Sequence, residues 1–165
     1  MTFAPRTWVV GEVVTAALMN QEIRDQFNSF FGAWTAYTPV WTTTGTAPNI
    51  QNGTLTGRYM KIGRTVICEI NMTAGSTTTF GTGNYSWSLP VAAASSGMAI
   101  VGTSMLLGTD RWNGTIVVSS AATTVGAFVP ISATNTRSDF ITNTRPETLA
   151  SGAQIRLTFV YEAAS

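Results

Sequence analysis

The chain has 165 residues and a net charge of +1; 44% of its residues are hydrophobic and only 10% are charged. This length suits one domain with an appendage. The nine Lys and Arg residues are dispersed, whereas nucleic-acid binding needs concentrated positive charge, and no apolar run approaches the roughly 18 residues of a membrane span. We therefore expect neither a nucleic-acid partner nor membrane insertion.

The chain has no His, which excludes Ser-His and Cys-His catalysis and His-containing metal sites.

The first predicted element is an amphipathic helix over residues 15–31. Thr15 is its predicted N-cap and Gly32 its predicted C′ residue. The apolar residues of the helix recur at helical spacing and form one stripe, which consists of Ala16, Met19, Ile23, Phe27, Phe30 and Phe31. Such a short helix is marginal alone in water. The stripe must therefore pack either on the chain's own sheet, as a lid, or on other chains, with a three-chain bundle as the favoured arrangement.

The remainder of the sequence predicts strands. Residues 33–53 are an aromatic, extended transition in which Pro39 favours an edge strand or a strand start. Short strand patterns then follow, separated by Gly, Pro, Asn and Ser clusters: Thr54–Ile62, Arg64–Thr73, Asn84–Leu89, Met98–Leu107, Gly114–Ser119, Val125–Ile131 and Gln154–Glu162. We predict a mainly β protein, with an N-terminal arm and helix over residues 1–35 and an antiparallel β-sandwich or jelly-roll-like domain over residues 36–165.

The alternation within these strands identifies core residues. Cys68 shares one strand face with Val66, Ile70 and Met72 and is expected to be a small buried hydrophobe. In the last strand, alternate residues from Ala153 to Tyr161 are apolar, which predicts one core face and one wet face.

Candidate catalytic and metal-binding groups are scarce. Neither closely spaced carboxylates nor a Cys or His cluster occurs, so we expect no metal and no cofactor. Glycoside hydrolysis needs only two carboxylates, and the candidates for it are Asp110, Asp139 and Glu147. No sequence feature brings a pair of them together, so we expect no enzyme, and a cell-wall polysaccharide hydrolase is the weakest alternative.

A candidate recognition surface lies around Trp112. The pair Asn113-Gly114 predicts a two-residue hairpin turn, which would place Asp110, Arg111, Trp112 and Asn113 at a hairpin tip. An indole beside hydrogen-bonding side chains is suited to stacking on a sugar ring or a partner surface. In the alternative interpretation, Trp112 folds back over the sheet as part of the core.

The N-terminal segment carries a family resemblance. Residues from Trp8 to Asp25 resemble the W-x-x-G-E-x-x-T-A-x-x-x-N-x-x-I-R-D signature of many minor tail or tail-fibre-type virion proteins of tailed bacteriophages of actinobacteria. The run Gly57–Val66 is similar to the G-x-Y-x-K-I-G-x-x-V hairpin of those proteins, and Ser88-Leu89-Pro90 resembles their strand-ending Leu-Pro. The resemblance covers about residues 7–90.

The resemblance implies a homotrimeric virion structural protein, made in the host cytoplasm without a secretory signal. Its expected partners are further copies of itself, other tail or head proteins of the virion and, through the Trp112 surface, a host cell-surface glycan. Because the chain is short, a capsid decoration or head-fibre protein without a receptor role is the alternative to a tail fibre or receptor-binding tail component. The expected assembly and anchor residues are Trp8, Glu12, Asn20, Ile23, Arg24, Asp25, Phe27 and Phe30.

Overall fold

The computed structural model describes residues 6–96 and 99–164. A helical segment in three parts is followed by ten strands, in this order: α1 Ala16–Met19, a π-helical turn Asn20–Arg24, α2 Asp25–Phe31, β1 Thr35–Tyr37, β2 Trp41–Thr43, β3 Thr54–Ile62, β4 Thr65–Thr73, β5 Tyr85–Ser88, β6 Ile100–Leu107, β7 Arg111–Val118, β8 Thr124–Ser132, β9 Asn135–Phe140 and β10 Gln154–Glu162. The predicted mainly β fold with one short N-terminal helix is confirmed. Met98, where one predicted strand begins, and residues 1–5 of the arm lie outside the described residues.

The strands form one antiparallel sheet in the order β1-β3-β4-β10-β6-β7-β8-β5-β2, with β9 paired to β8. The sheet curls, and its two end strands, β1 and β2, are consecutive in the chain. The Ser88 N–H donates to the Val40 carbonyl at 2.9 Å, beside this end of the sheet. The result is a β-sandwich or jelly-roll-like domain around one core.

The core lies on the inner face of the curled sheet. The alternation predicted for β10 is confirmed, since Ile155, Leu157, Phe159 and Tyr161 are each 1% exposed. Cys68 is fully buried on the same face of β4 as Val66, Ile70 and Met72. These side chains join a single cluster of buried residues drawn from most strands of the sheet.

The hairpin turn predicted at Asn113-Gly114 is wrong. Strand β7 runs unbroken through both residues, and the turn lies earlier, where the Gly108 N–H donates to the Asp110 carbonyl at 2.9 Å. Gly114 is instead required by packing, because a Cβ there would collide with the Phe128 carbonyl oxygen of β8. A glycine inside a strand marks such a close approach of two backbones.

Strand β9 was not predicted from the sequence. It pairs with β8, from Phe128↔Phe140 to Ser132↔Asn135 with a bulge between Pro130 and Ser132. Its sequence, Asn-Thr-Arg-Ser-Asp-Phe, is almost wholly polar. Hydrophobic periodicity cannot detect an edge strand whose side chains contribute little to the core.

The helical segment begins as predicted and ends differently. The Thr15 hydroxyl accepts from the Leu18 N–H at 3.3 Å, which confirms the N-cap. Gly32 follows the helix in an extended conformation, with φ −64° and ψ 160°, rather than the left-handed one typical of C′ glycines. In the middle, the Asp25 N–H donates to the Asn20 carbonyl, which gives the i→i−5 bond of a π turn.

Candidate functional site

The apolar stripe of the helix faces solvent. Met19 is 42% exposed, Ile23 43%, Phe27 60% and Phe30 43%. Ala16 is also exposed, and the side chain of Phe31 lies outside the description. A lid would bury these side chains against the sheet, so the stripe does not act as a lid in this chain.

The helix turns a polar edge towards its own domain. Asp25 and Asn28 line a cavity of about 370 Å³ together with Tyr59, Met60 and Lys61 of β3. A helix stabilised only by its own domain would present the opposite face, since apolar burial drives packing. In this orientation the apolar stripe is exposed.

The Trp-x-x-Gly-Glu part of the arm forms a local turn. The Glu12 N–H donates to the Val9 carbonyl at 3.1 Å, and Gly11 has a φ of 85°, which a turn with a left-handed third residue requires. The Glu12 carboxylate accepts from the Val9 N–H at 3.4 Å and forms an ion pair with Arg6. Glu12 therefore shapes the arm, in addition to any role in attachment.

Trp8, Asn20, Arg24 and Asp25, the other predicted anchor residues, have different surroundings. Trp8 is 45% exposed, with the Arg6 guanidinium 5.3 Å from its ring centroid, so it extends the apolar surface of the arm. Asn20 is exposed where the π turn begins. Arg24 pairs with Asp25 at 2.8 Å; an exposed pair of this kind contributes little to stability.

A junction between arm and sheet was missed by sequence reasoning. The Arg58 guanidinium carbon lies 5.0 Å from the centroid of the Trp34 ring, and Arg58 Nε donates to Glu69 at 2.7 Å. Tyr37 and Tyr59 meet edge to face, with ring centroids 5.8 Å apart. These contacts join residues distant in the sequence, and no local pattern reveals them.

The residues predicted for surface recognition do not form one surface. Trp112 is half-buried against the core, and its indole N–H donates to the Glu147 carboxylate at 2.9 Å. Asp110 and Arg111 are exposed. Asn113 lies on the face of β7 opposite to Trp112, where it lines a groove with Arg156. The structure thus agrees with the alternative in which Trp112 packs on the sheet.

The carboxylates considered for hydrolysis have structural partners. Glu147 accepts from the Thr109 N–H at 2.5 Å and from the Asp110 N–H at 3.3 Å, in addition to the indole of Trp112. Asp139 forms an ion pair with Arg145 at 2.7 Å. Among the described residues, no group of three or more His, Cys, Asp or Glu side chains is placed to hold a metal ion.

The inner face also holds a buried thiol. Burial raises the pKa of Cys68 to about 11, and the Tyr37 hydroxyl lies 3.3 Å from its sulfur. Burial likewise raises the pKa values of Tyr37, Tyr85 and Tyr161 above their ordinary range. All four groups are neutral at pH 7, and a neutral buried thiol is a weak nucleophile.

Across the described parts of the chain, no helix is both long and apolar enough to cross a bilayer. Within the helical segment Ala16–Phe31, the charged residues Glu22, Arg24 and Asp25 lie between the apolar residues in the sequence.

Comparison of the chain with protein-family models, with curated proteins and with solved structures finds no match.

Proposed function

We propose that the chain is a structural protein of a tailed-bacteriophage particle, namely a short trimeric tail fibre or receptor-binding tail component. Its N-terminal arm attaches it to the particle and to further copies of itself. The observation that carries the proposal is the outward-facing stripe of Met19, Ile23, Phe27 and Phe30. Contiguous apolar surface of this kind marks a site of contact with another molecule, and the stripe lies within and directly after the segment that resembles the phage signature.

Deletion of residues 1–32 tests the role of the arm. We expect the remaining chain to keep the circular dichroism and cooperative melting of a folded β-domain, to sediment as a monomer, and to be absent from purified particles. Full-length protein purified in parallel is the control for assembly and incorporation. Unfolding of the truncated chain would show that the helix supports its own domain, which would contradict the proposal.

Imaging of intact particles tests the location. Antibody against the β-domain should label the tail tip or the tail fibres in electron micrographs. Label spread over the head would contradict a tail role.

A capsid decoration protein without a receptor role is the second candidate. It is favoured by the position of Trp112, whose indole turns inward onto Glu147 rather than outward to a ligand. Saturable adsorption of the purified full chain to host envelopes would favour the receptor-binding component. Head labelling without adsorption would favour decoration.

Hydrolysis of envelope polysaccharide is the remaining alternative. It requires release of soluble sugar from host envelopes by the purified chain, and loss of that release in the variants Asp110→Asn, Asp139→Asn or Glu147→Gln. The hydrogen bonds of Glu147 and the ion pair of Asp139 account for both carboxylates without catalysis.

A further inference from the structure

The outer face of β3, β4 and β10 is arranged in five cross-strand rows. In order along the strands, they are Thr54-Thr73-Gln154, Thr56-Asn71-Arg156, Arg58-Glu69-Thr158, Met60-Ile67-Val160 and Ile62-Thr65-Glu162. The fourth row is the only one of the five in which every side chain is apolar. We call Met60, Ile67 and Val160 the outer strip.

The outer strip is open to solvent in the single chain. Val160 is 43% exposed, and Met60 and Ile67 are each partly exposed. Isolated apolar residues on a protein surface are ordinary, whereas these three lie side by side on adjacent strands. The strip also begins beside the helix, because Met60 lines the cavity beneath the polar edge of α2.

Charged pairs border the strip on both sides. Arg58 pairs with Glu69 at 2.7 Å in the row before it, and Arg64 pairs with Glu162 at 3.2 Å beside the row after it. An apolar centre with a polar rim is the usual anatomy of a protein–protein contact. The four rim charges sum to zero, so identical copies can meet here without repulsion, whereas a strongly charged partner would gain no attraction.

We infer that the outer strip is a second contact surface that is covered by another copy of this chain. The inference rests on the assembly of copies in the proposed function and adds the sheet face that takes part in it. On this inference, the helix stripe and the strip both contribute to the contact, in which each partner of a specific interface buries about 800 Å².

A charge placed in the strip tests the inference in the full chain. Val160→Lys should raise the dissociation constant of the assembly at least about tenfold in sedimentation velocity, because the Lys would be buried unpaired at the contact. The control is Thr56→Lys, an exposed position on the same face of the sheet in a polar row that does not border the strip. An unchanged dissociation constant for Val160→Lys, or an equal loss in Thr56→Lys, overturns the inference.

Oxidation of methionine in the unmodified chain gives a measurement that does not depend on how a variant folds. Met60 lies in the strip, and Met105 lies on the outer face beside Asn113 and Arg156 in a polar row. With dilute peroxide, the rate at Met60 should fall several-fold as protein concentration drives assembly, while the rate at Met105 stays constant. Equal rates at Met60 in dilute and assembled protein would overturn the inference.

The failure of the inference is distinguishable from the failure of the proposed function. An assembly that forms, yet ignores Val160→Lys and leaves Met60 reactive, removes the strip and leaves the helix stripe as the contact. A chain that stays monomeric at every concentration overturns the inference, while its presence in purified particles, measured by mass spectrometry, separately decides the virion role.

Discussion

Glu147 joins two loops through one carboxylate. It accepts from the backbone N–H groups of Thr109 and Asp110 and from the indole of Trp112. Hydrogen bonds to a charged acceptor are about twice as strong as neutral ones. The residue therefore holds the β6–β7 turn and fixes the inward orientation of Trp112.

Replacing Glu147 should loosen this turn. We expect Glu147→Ala to lower the free energy of unfolding by about 1–2 kcal/mol, since charge-assisted bonds are lost and the residue is only partly buried. The fluorescence of the chain should shift to the red as Trp112 gains solvent. The control is Glu162→Ala, whose partner Arg64 forms an exposed ion pair; urea denaturation of both variants gives the comparison, and equal small losses would contradict the role of Glu147.

Substitutions at Gly114 and Asn113 test whether this segment is a strand or a hairpin turn. In a two-residue turn both positions would need positive φ, whereas in β7 the glycine is needed for close packing against Phe128. Gly114→Ala should therefore destabilise the domain by about 1–3 kcal/mol through overpacking. Asn113→Thr should be neutral or stabilising, because Thr favours strands. Thermal melting that shows a large loss for Asn113→Thr would contradict the strand.

The orientation of the helix is unusual for an isolated chain, because the apolar face is the exposed one. It exposes its apolar stripe and lays Asp25 and Asn28 over the cavity against β3. The Trp34–Arg58 contact and the Arg58–Glu69 hydrogen bond lie where the arm joins the sheet. Both features indicate that the direction of the helix is set by its attachment to the sheet and not by burial of its own apolar face.

A double replacement in the stripe should separate assembly from folding. In Phe27→Ser with Phe30→Ser, we expect the oligomer to dissociate, while the melting of the β-domain changes by less than about 0.5 kcal/mol, as is usual for exposed positions. The control is Gln21→Ser, an exposed polar position on the same helix. Sedimentation and circular dichroism measure the two effects, and loss of the β-domain signal in the double variant would contradict their separation.

At the scale of the whole molecule, three buried acidic groups and one partly buried one make the fold sensitive to alkali. Burial raises the pKa values of Cys68, Tyr37, Tyr85 and Tyr161 in the folded chain. The unfolded chain releases these protons first, near 9.0 for the thiol and 10.0 for the phenols. Their contribution to stability is therefore complete below about pH 9 and is lost as the pH rises further.

We expect the free energy of unfolding to fall above about pH 9, by about 1.4 kcal/mol per pH unit for each group that ionises only in the unfolded chain. Urea denaturation at several pH values measures the slope. Cys68→Ala should lack the earliest part of the fall, which the thiol causes between pH 9.0 and about 11. A free energy of unfolding that stays constant up to about pH 10.5 would contradict the raised pKa of Cys68.

Much of the fold was predictable because burial in a sheet leaves a period of two in the sequence. The alternation of β4 and β10 identified their core faces, and Thr15 identified the start of the helix. Edge strand β9 was missed because its polar side chains carry no period. The hairpin turn at Asn113-Gly114 was predicted wrongly because glycine occurs both in turns and where two backbones pack closely. Only the position of the neighbouring strand β8 distinguishes the two cases.

The candidate site was predictable in part. The stripe residues follow from helical spacing, but their exposure depends on which edge of the helix meets β3. The outer strip joins Met60, Ile67 and Val160 from strands far apart in the sequence, so it exists only once their register is known. Trp112 was placed at a hairpin tip because of the Asn113-Gly114 pair. Its hydrogen-bond partner, Glu147, is 35 residues away and leaves no local signal in the sequence.

The position of β10 has a consequence for biosynthesis. This strand is the last of the ten to be made, yet it lies in the sheet between β4 and β6. On the ribosome, β4 and β6 stay unjoined until β10 emerges between them. The helix, in contrast, emerges before any of the strands. From Phe31 to Glu162, translation takes roughly 7–26 s at about 5–20 residues per second. Under the proposed assembly, the arm of a nascent chain therefore has this interval in which to meet another arm before its own domain has closed.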